Sequence, residues 1–317
     1  MRKTIPISIK RTVPFTDIEP LAVTLTPLVD ASVERFYWFY PWLASEYPEV
    51  TCTKKYFFTY STDHAVAGVA MIAWGEGDNL DLSDFVELGI ITTQGAPETA
   101  YIIRQEGTER PINMFFHKAN GDFGIQNTHM HSTKGGLLHD TDWREEGPVL
   151  SQGGLIEGDQ HLGYFMPYRM ADGTYKGMGF KQQSILQDNV PLYQYYTTAF
   201  DLTNWDRAGF LNVRDPNSTE TFFSYTFGRF FKYEGSWWWI GTLNPTEPPG
   251  LDRKKLAVCR ATEDLEILEQ VLTLNGDVLS NVWSVYIKGD TAHLYMHDDV
   301  NFLYYTTWDL LQLKNYL

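Results

Sequence analysis

The sequence predicts an all-β fold, a five-bladed β-propeller, from three observations. First, a strand-like run, a polar turn and then an aromatic residue recur along the chain. The copies span residues 68–91, 127–150, 192–211, 255–268 and 301–310. Second, they are separated by roughly 45 to 65 residues, a period that indicates a propeller or an array. Third, 15% of the residues are aromatic, which suits sheets that pack face to face.

Each part of the repeat has a physical reason. Alternating aromatic and β-branched residues, as in Leu192 to Thr198, are typical of a half-buried strand. The short polar residues and glycines that follow suit a tight turn. We expect the Trp or Phe after the turn to open the outermost strand of a blade. A four-stranded unit cannot bury both faces alone, so such units stack into a ring.

The predicted organisation is one domain over residues 1–317, with blades at about 51–95, 96–150, 155–214, 219–274 and 278–317. Residues 1–50 contribute a strand at Ile5 to Val13 and an aromatic segment at Phe36 to Leu43. That segment is either a core strand or a sugar-stacking platform. The last blade ends in a weak strand near Leu310 to Leu317, so we expect Ile5 to Val13 to complete it and close the ring.

Glycine-containing pairs predict hairpins between the first and second strands of the last three blades. These pairs are Asp172-Gly173, Glu234-Gly235 and Gly289-Asp290. Glycine readily adopts the positive φ that two-residue hairpin turns require. The pairs therefore also indicate where the first strand of each of these blades ends.

Composition excludes several function classes. The net charge of −15 argues against nucleic acid and anionic membranes as partners, because phosphate binding needs clustered Lys and Arg. Cys52 and Cys259 both lie in strand-like runs, and we expect free thiols rather than a disulfide. No signal peptide is evident at the N-terminus, and no run approaches membrane-spanning length. We expect a cytoplasmic protein, or a virion component if the chain is phage-encoded.

The repeat resembles five-bladed propeller glycoside hydrolases of the arabinanase and β-xylosidase type. The resemblance covers about residues 50 to 310 and is carried by Asp172 to Tyr175, Tyr196 to Trp205, Glu234 to Trp239 and Arg260 to Leu265. It implies a carbohydrate partner and an active site on the ring axis, with carboxylates at or just before the innermost strands. One carboxyl protonates the leaving oxygen while another activates water or holds charge.

The chain departs from this family at the Asp-Pro opening of the first inner strand, which carries the general base. That opening is not recognisable. The nearest segments are Tyr47 to Glu49 and Asp17 to Pro20. This departure bears on catalysis rather than on ligand binding.

The polar candidate site residues are those that lie shortly before the predicted hairpins, and the aromatic candidates Tyr164 and Trp38 would stack on sugar faces. The catalytic candidates are Glu98, Asp159 and Glu220, with His161 assisting. The ligand-binding candidates are Glu49, Glu157, Tyr164, Trp38 and Asn281. Glu157, Asp159 and His161 fall within five residues and lead into an apolar strand, which is unusual for a plain turn. A carboxylate at Asp159 would raise the pKa of His161 and suit it to acid catalysis.

No cofactor is predicted. His117, His129 and His131 have no cysteine or carboxylate beside them at ligand spacing. Calcium near the axis is compatible with the fold class, but no calcium-loop motif supports it. The sequence also has no phosphate loop, nucleophile elbow or dinucleotide fingerprint.

Two functions remain open, and a third possibility is a purely structural scaffold, which would show no pocket. The first is hydrolysis of an oligo- or polysaccharide by paired carboxylates. The second is non-catalytic glycan or receptor binding, as in a phage tail fibre or virion structural protein, with a homo-oligomer or a virion protein as a further partner. Two axial carboxyls about 5 to 10 Å apart favour hydrolysis. A channel plugged by aromatic and amide side chains favours binding.

Overall fold

The structure is a computed structural model. It describes residues 34–64, 70–95, 97–119, 126–150, 161–182, 192–197, 202–210, 212–214, 221–222, 225–243, 255–265, 267–275, 281–297 and 303–317. Within these ranges the chain consists mainly of antiparallel strands. No helix among them is long and apolar enough to cross a membrane.

The first two blades each contain four strands that are hydrogen-bonded in chain order. The first blade comprises β1 (Glu34–Leu43), β2 (Tyr56–His64), β3 (Ala70–Gly77) and β4 (Val86–Thr92). The second comprises β5 (Glu98–Arg104), β6 (Ile112–Ala119), β7 (Gln126–Thr133) and β8 (Arg144–Leu150).

The third blade comprises β9 (His161–Arg169), β10 (Tyr175–Gln182), β11 (Leu192–Thr197) and β12 (Asp206–Phe210). One parallel pair, Gln126 with His161, joins it to the second blade.

The fourth blade is preceded by two short strands, β13 (Asn212–Arg214) and β14 (Thr221–Phe222). The blade itself comprises β15 (Tyr225–Tyr233), β16 (Ser236–Leu243), β17 (Lys255–Ala261) and β18 (Ile267–Asn275). β13 pairs in parallel with β18, which lies at the outer side of this sheet.

The fifth blade shows three strands in the described part of the chain: β19 (Asn281–Lys288), β20 (Thr291–His297) and β21 (Leu303–Asp309). The predicted closing strand, Ile5 to Val13, lies outside the described residues.

The first strands of the five blades surround a common axis. β1 contacts both β5 and β19, β5 contacts β9, and β15 contacts β19. The backbone N–H of Phe230 in β15 donates to the Tyr168 hydroxyl in β9 at 3.2 Å, which connects the remaining neighbours. The predicted fold class, an all-β five-bladed propeller, is confirmed.

The hydrophobic core lies between neighbouring blades, as stacking of the sheets requires. Phe39 of the first blade stacks on Tyr60, with centroids 5.3 Å apart, and on Tyr295 of the fifth blade at 5.5 Å. Between the first and second blades, Trp74 and Met114 are fully buried in one cluster. These two interfaces thus bury the apolar faces that a single sheet leaves open.

The turn chemistry is as the sequence predicts. Gly173, Gly235 and Gly289 have φ values of 85°, 76° and 60° in the hairpins between the first and second strands of their blades. Trp143 and Trp205 lie directly before the outermost strands β8 and β12. Their indole N–H groups donate back to carbonyl oxygens across the preceding turn, at 2.8 and 2.7 Å. Both cysteines are free, as expected.

Two expectations about chain segments need correction. The first blade begins at Glu34 rather than near residue 51, because the aromatic segment forms β1 and pairs with β2. The C-terminal segment is a 3-10 helix, Leu310–Tyr316, rather than a weak strand. Leu310 and Leu313 are fully buried there, and this spacing of three matches the 3-10 period. The Asp309 carboxylate caps the helix by accepting from the Leu311 N–H at 2.9 Å.

Candidate functional site

The axis of the ring contains a cavity of about 210 Å³ to which all five innermost strands contribute. Its wall includes Tyr40 and Trp42 from β1, Tyr101 from β5, Tyr168 from β9, Arg229 from β15, and Ser284 and Tyr286 from β19. Glu46 and Tyr47, which follow β1, also line it. The cavity therefore lies toward the end of the axis at which the innermost strands finish.

The cation of this cavity is Arg229, which is 3% exposed. Its Nη2 donates to the Tyr40 hydroxyl at 2.8 Å, and its Nη1 donates to the Gly228 carbonyl at 2.8 Å. The guanidinium also lies 5.4 Å from the centre of the Tyr40 ring and 5.9 Å from that of the Trp38 ring. Aromatic faces stabilise a cation at such distances.

The phenols around Arg229 are neutral at neutral pH. Burial raises the pKa of Tyr40, although the neighbouring Arg229 opposes the shift. Burial also raises the pKa of Tyr101 well above its usual range, and raises the pKa of Tyr168 and of Tyr286 to about 12 each. These hydroxyls keep their protons and can therefore donate hydrogen bonds.

The opposite end of the axis, where the innermost strands begin, carries a carboxyl–imidazole pair. The Glu98 Oε2 lies 3.1 Å from the Nε2 of His117. The Nδ1 of His117 lies 3.0 Å from the Thr99 hydroxyl, which donates to the Glu98 carbonyl at 2.6 Å. His117 is fully buried, whereas the Glu98 side chain is 33% exposed. The carboxyl thus faces solvent from a fixed position.

The backbone next to Glu98 is unusual. Thr99 has a φ of 63°, which a β-branched residue rarely adopts. The Thr99 N–H donates to the Ser61 hydroxyl in β2 at 3.0 Å, and this buried contact holds the conformation. Strained residues of this kind cluster at functional sites.

The donor and acceptor in each contact of His117 depend on which of its ring nitrogens carries the proton. The Nδ1 of His117 lies within hydrogen-bond distance of the Thr99 hydroxyl, and its Nε2 lies within hydrogen-bond distance of the Glu98 carboxyl. The imidazole of His117 therefore positions the Glu98 carboxyl at the start of β5.

The structure does not bring Glu49 to Glu98. Glu49 follows β1 and accepts from the Nη2 and Nε of Arg104, both at 2.8 Å. Arg104 ends β5 and Glu98 begins it, so the two glutamates are separated by roughly 20 Å along that strand. The innermost strand of the first blade is β1 and not β2, so Glu49 follows an innermost strand instead of preceding one. A ligand-binding role for Glu49 stays a prediction.

Several predicted residues lie outside the described residues: Glu157, Asp159 and Glu220. For three others the structure describes the backbone only. His161 begins β9, Tyr164 lies within β9, and Asn281 begins β19. Because the innermost strands run in the same direction around the axis, His161 and Asn281 are at the same end as Glu98. Their roles stay predictions.

Trp38 lies in β1 and is 5% exposed. Its ring contacts the Arg229 guanidinium and is not part of the cavity wall. The core interpretation of the aromatic segment therefore accounts for Trp38, whereas Tyr40 and Trp42 of the same segment face the cavity. A sugar-stacking role for Trp38 stays a prediction.

The histidines show no metal centre in the part of the chain that is described. His129 Nδ1 lies 3.2 Å from Glu145, and burial lowers the pKa of His129 to about 4. No group of three or more His, Cys, Asp or Glu side chains within the described ranges is placed to hold a metal ion. The expectation of no cofactor, like that of an axial calcium, stays untested.

The sequence analysis missed the residues that line the cavity. A tyrosine from four of the five innermost strands lines it: Tyr40, Tyr101, Tyr168 and Tyr286. The fifth strand supplies Arg229 at this place. This recurrence becomes visible once β1 is aligned with the other first strands. These tyrosines lie within the strands, whereas the predicted carboxylates lie at or before the strand starts.

The ring of five sheets around a shared axis defines the class of the protein, a five-bladed β-propeller. No family model matches the sequence, and no similar sequence was found among curated proteins.

Solved structures do show the same fold. The endo-arabinase from Bacteroides thetaiotaomicron has a TM-score of 0.56 at 12% identity, covering 87% of this chain and 94% of that chain. The α-L-arabinofuranosidase from Lactobacillus brevis has a TM-score of 0.55 at 8% identity, covering 90% and 92%.

The β-1,2-mannobiose phosphorylase from Listeria innocua, in complex with β-1,2-mannobiose, has a TM-score of 0.55 at 12% identity, covering 78% and 69%. At these identities the likeness shows the fold alone.

Proposed function

We propose that this protein is a glycoside hydrolase that acts on an oligo- or polysaccharide at the end of the axis where the innermost strands begin. The observation that carries the proposal is the partly exposed Glu98 carboxyl, which a buried histidine fixes at this end. The fold shared with arabinan- and arabinoside-cleaving enzymes supports the same substrate class.

In this proposal Glu98 is the general acid. A proton passes from the Glu98 carboxyl to the glycosidic oxygen as the bond to the sugar carbon breaks. A second carboxyl, from Asp159 or Glu220, takes a proton from the attacking water, and His161 assists. His117 is a positioning residue, because it holds the carboxyl and does not face the substrate.

The test is turnover of a panel of chromogenic aryl glycosides and of arabinan. We expect Glu98→Gln to lower kcat by about 100-fold or more, as loss of a general acid does. Glu263→Gln removes a carboxyl from an exposed turn elsewhere and serves as the matched control. Circular dichroism verifies that both variants fold.

A different result would contradict each part of the proposed mechanism. Full activity of Glu98→Gln removes Glu98 from the mechanism, and full activity of Asp159→Asn does the same for Asp159. A wild-type protein that cleaves nothing in the panel argues against hydrolysis itself.

A specific observation favours non-catalytic glycan binding as the second candidate. Among the side chains that the structure describes on β1, β5, β9, β15 and β19, Glu98 carries the single carboxyl. Hydrolysis by the usual route needs two. A receptor-binding protein such as a phage tail fibre or another virion component needs none. Saturable binding on a glycan array without turnover supports this candidate, and absence of both argues against either function.

A further inference from the structure

The axial cavity contains a buried positive charge, that of Arg229, without a negatively charged partner among the described residues. Arg229 forms no ion pair with any carboxylate among the described residues, and its Nε has no hydrogen-bond partner there. Its two hydrogen bonds go to neutral oxygens, those of Tyr40 and Gly228. Buried charges are normally paired or bound to an ion, because removing them from water is costly.

The hydroxyl groups beside Arg229 add to this excess of donors. The Tyr40 oxygen accepts from Arg229, and its own proton has no acceptor among the described residues. The Tyr101 hydroxyl makes no hydrogen bond with the described part of the chain. Both phenols are protonated at neutral pH, because burial raises their pKa values. This part of the cavity therefore offers a cation and two O–H donors but no charged acceptor.

The remainder of the wall is aromatic. The Trp42 and Tyr101 rings meet edge to face, with centroids 5.1 Å apart. The Tyr168 ring lies 6.2 Å from Tyr101 and 5.4 Å from Phe230. A volume of about 210 Å³ is below the roughly 300–1,000 Å³ of sites for drug-sized ligands. It suits one six-membered ring with its substituents.

We propose that the axial cavity binds a small carboxylate carried on a six-membered ring, with the carboxylate at Arg229 and Tyr40 and the ring among the aromatic side chains. Two sources share this chemistry, an acidic monosaccharide such as glucuronate and an aromatic acid such as benzoate. The site is separate from Glu98, which lies three residues, or about 10 Å, before Tyr101 along β5. It does not depend on hydrolysis.

The first test compares charged and neutral ligands of the same shape by titration calorimetry and tryptophan fluorescence. Trp42 lies in the cavity wall and is the expected reporter. We expect benzoate to bind at least tenfold more tightly than benzamide, or glucuronate at least tenfold more tightly than glucose, since hydrogen bonds to a charged group are the stronger ones.

The ligand pairs also identify the source. Preference for glucuronate indicates an acidic sugar, and preference for benzoate indicates an aromatic acid. Equal affinity for the charged and neutral member of both pairs overturns the proposal, as does absence of saturable binding by either carboxylate.

Variants locate the site. Arg229→Gln should weaken carboxylate binding by about tenfold or more, and Tyr40→Phe by about fivefold. Glu46 is exposed and lines the cavity, so its charge repels the ligand. Glu46→Gln should therefore tighten binding by about threefold. Glu263→Gln makes the same charge change at an exposed turn and should leave binding unchanged.

The design remains decisive if loss of the buried Arg229 prevents folding, because Tyr40→Phe keeps the ring and Glu46→Gln alters only an exposed residue. Unchanged affinity in both overturns the proposal. No glycan turnover enters these measurements, so failure of the hydrolase proposal and failure of this one are seen separately.

Discussion

The hydroxyl group of Thr59 connects the first two blades, and its removal tests how much this connection stabilises the propeller. Thr59 lies in β2 and is fully buried. Its hydroxyl accepts from the Trp42 indole N–H in β1 at 2.9 Å and donates to the Ala100 carbonyl in β5 at 2.6 Å. We predict that Thr59→Val, which has nearly the same shape, destabilises the protein.

The expected magnitude follows from the two groups that lose their partner. A buried polar group left without a hydrogen bond costs about 1–3 kcal/mol. The Ala100 carbonyl lies where the β5–β6 register shifts, between Glu98 and Tyr101, outside the regular ladder. The Trp42 N–H falls at the lower end of the range, because this side chain is only partly buried. The total is about 2–4 kcal/mol of unfolding free energy.

The assay is urea unfolding followed by tryptophan fluorescence, with Thr59→Ser as the matched control. Serine keeps the hydroxyl and loses one methyl group, at a cost of about 1 kcal/mol. We expect the transition midpoint of Thr59→Val to fall further than that of Thr59→Ser, with the slope unchanged. A valine variant as stable as the serine variant would refute the proposed role of the hydroxyl.

Two further predictions concern other parts of the molecule. Hydrogen bonds from Arg104 hold the pKa of Glu49 below its usual range. This pair therefore stabilises the fold above the unfolded-state pKa of about 4.3. The stabilisation is lost as the pH falls through the folded-state pKa. Lowering the pH from about 5 to about 3 should therefore lower the thermal unfolding midpoint of the wild type more than that of Glu49→Gln. Midpoints that fall in parallel with pH would contradict this. In the C-terminal 3-10 helix, Leu313→Ala should cost about 2–4 kcal/mol because Leu313 is fully buried. Leu311→Ala, at a residue 48% exposed, should stay within about 0.5 kcal/mol of wild type in the same urea assay.

Local chemistry made much of the fold predictable. A glycine with positive φ is needed wherever two strands reverse tightly, so Gly173, Gly235 and Gly289 indicated hairpins correctly. Alternating aromatic residues indicated the strands between them, and the period of the repeat indicated the number of blades. These signals depend only on residues that are close in the sequence, so they can be identified without the structure.

The site was less predictable because it depends on which strand faces the axis. If Phe36 to Leu43 is not counted as a strand of the first blade, Glu49 precedes the first strand of that blade. In the structure this segment is the innermost strand, and Glu49 follows it. One misplaced strand moves a carboxylate to the other end of the axis. Arg229 gave no local signal, because its significance comes from Tyr40, which is 189 positions away in sequence.

The parallel pairing of β13 with β18 has a consequence for how this protein meets other chains. The segment that leaves the third blade runs along the outside of the fourth before that blade starts. The long strand β18 is therefore already partnered, and among the described strands the sheet ends in the two-residue β14. Short terminal strands offer few unpaired amides to a neighbouring molecule. We therefore expect this edge of the sheet to resist the addition of a strand from another molecule. Such addition to β18 would first require the pairing between β13 and β18 to break.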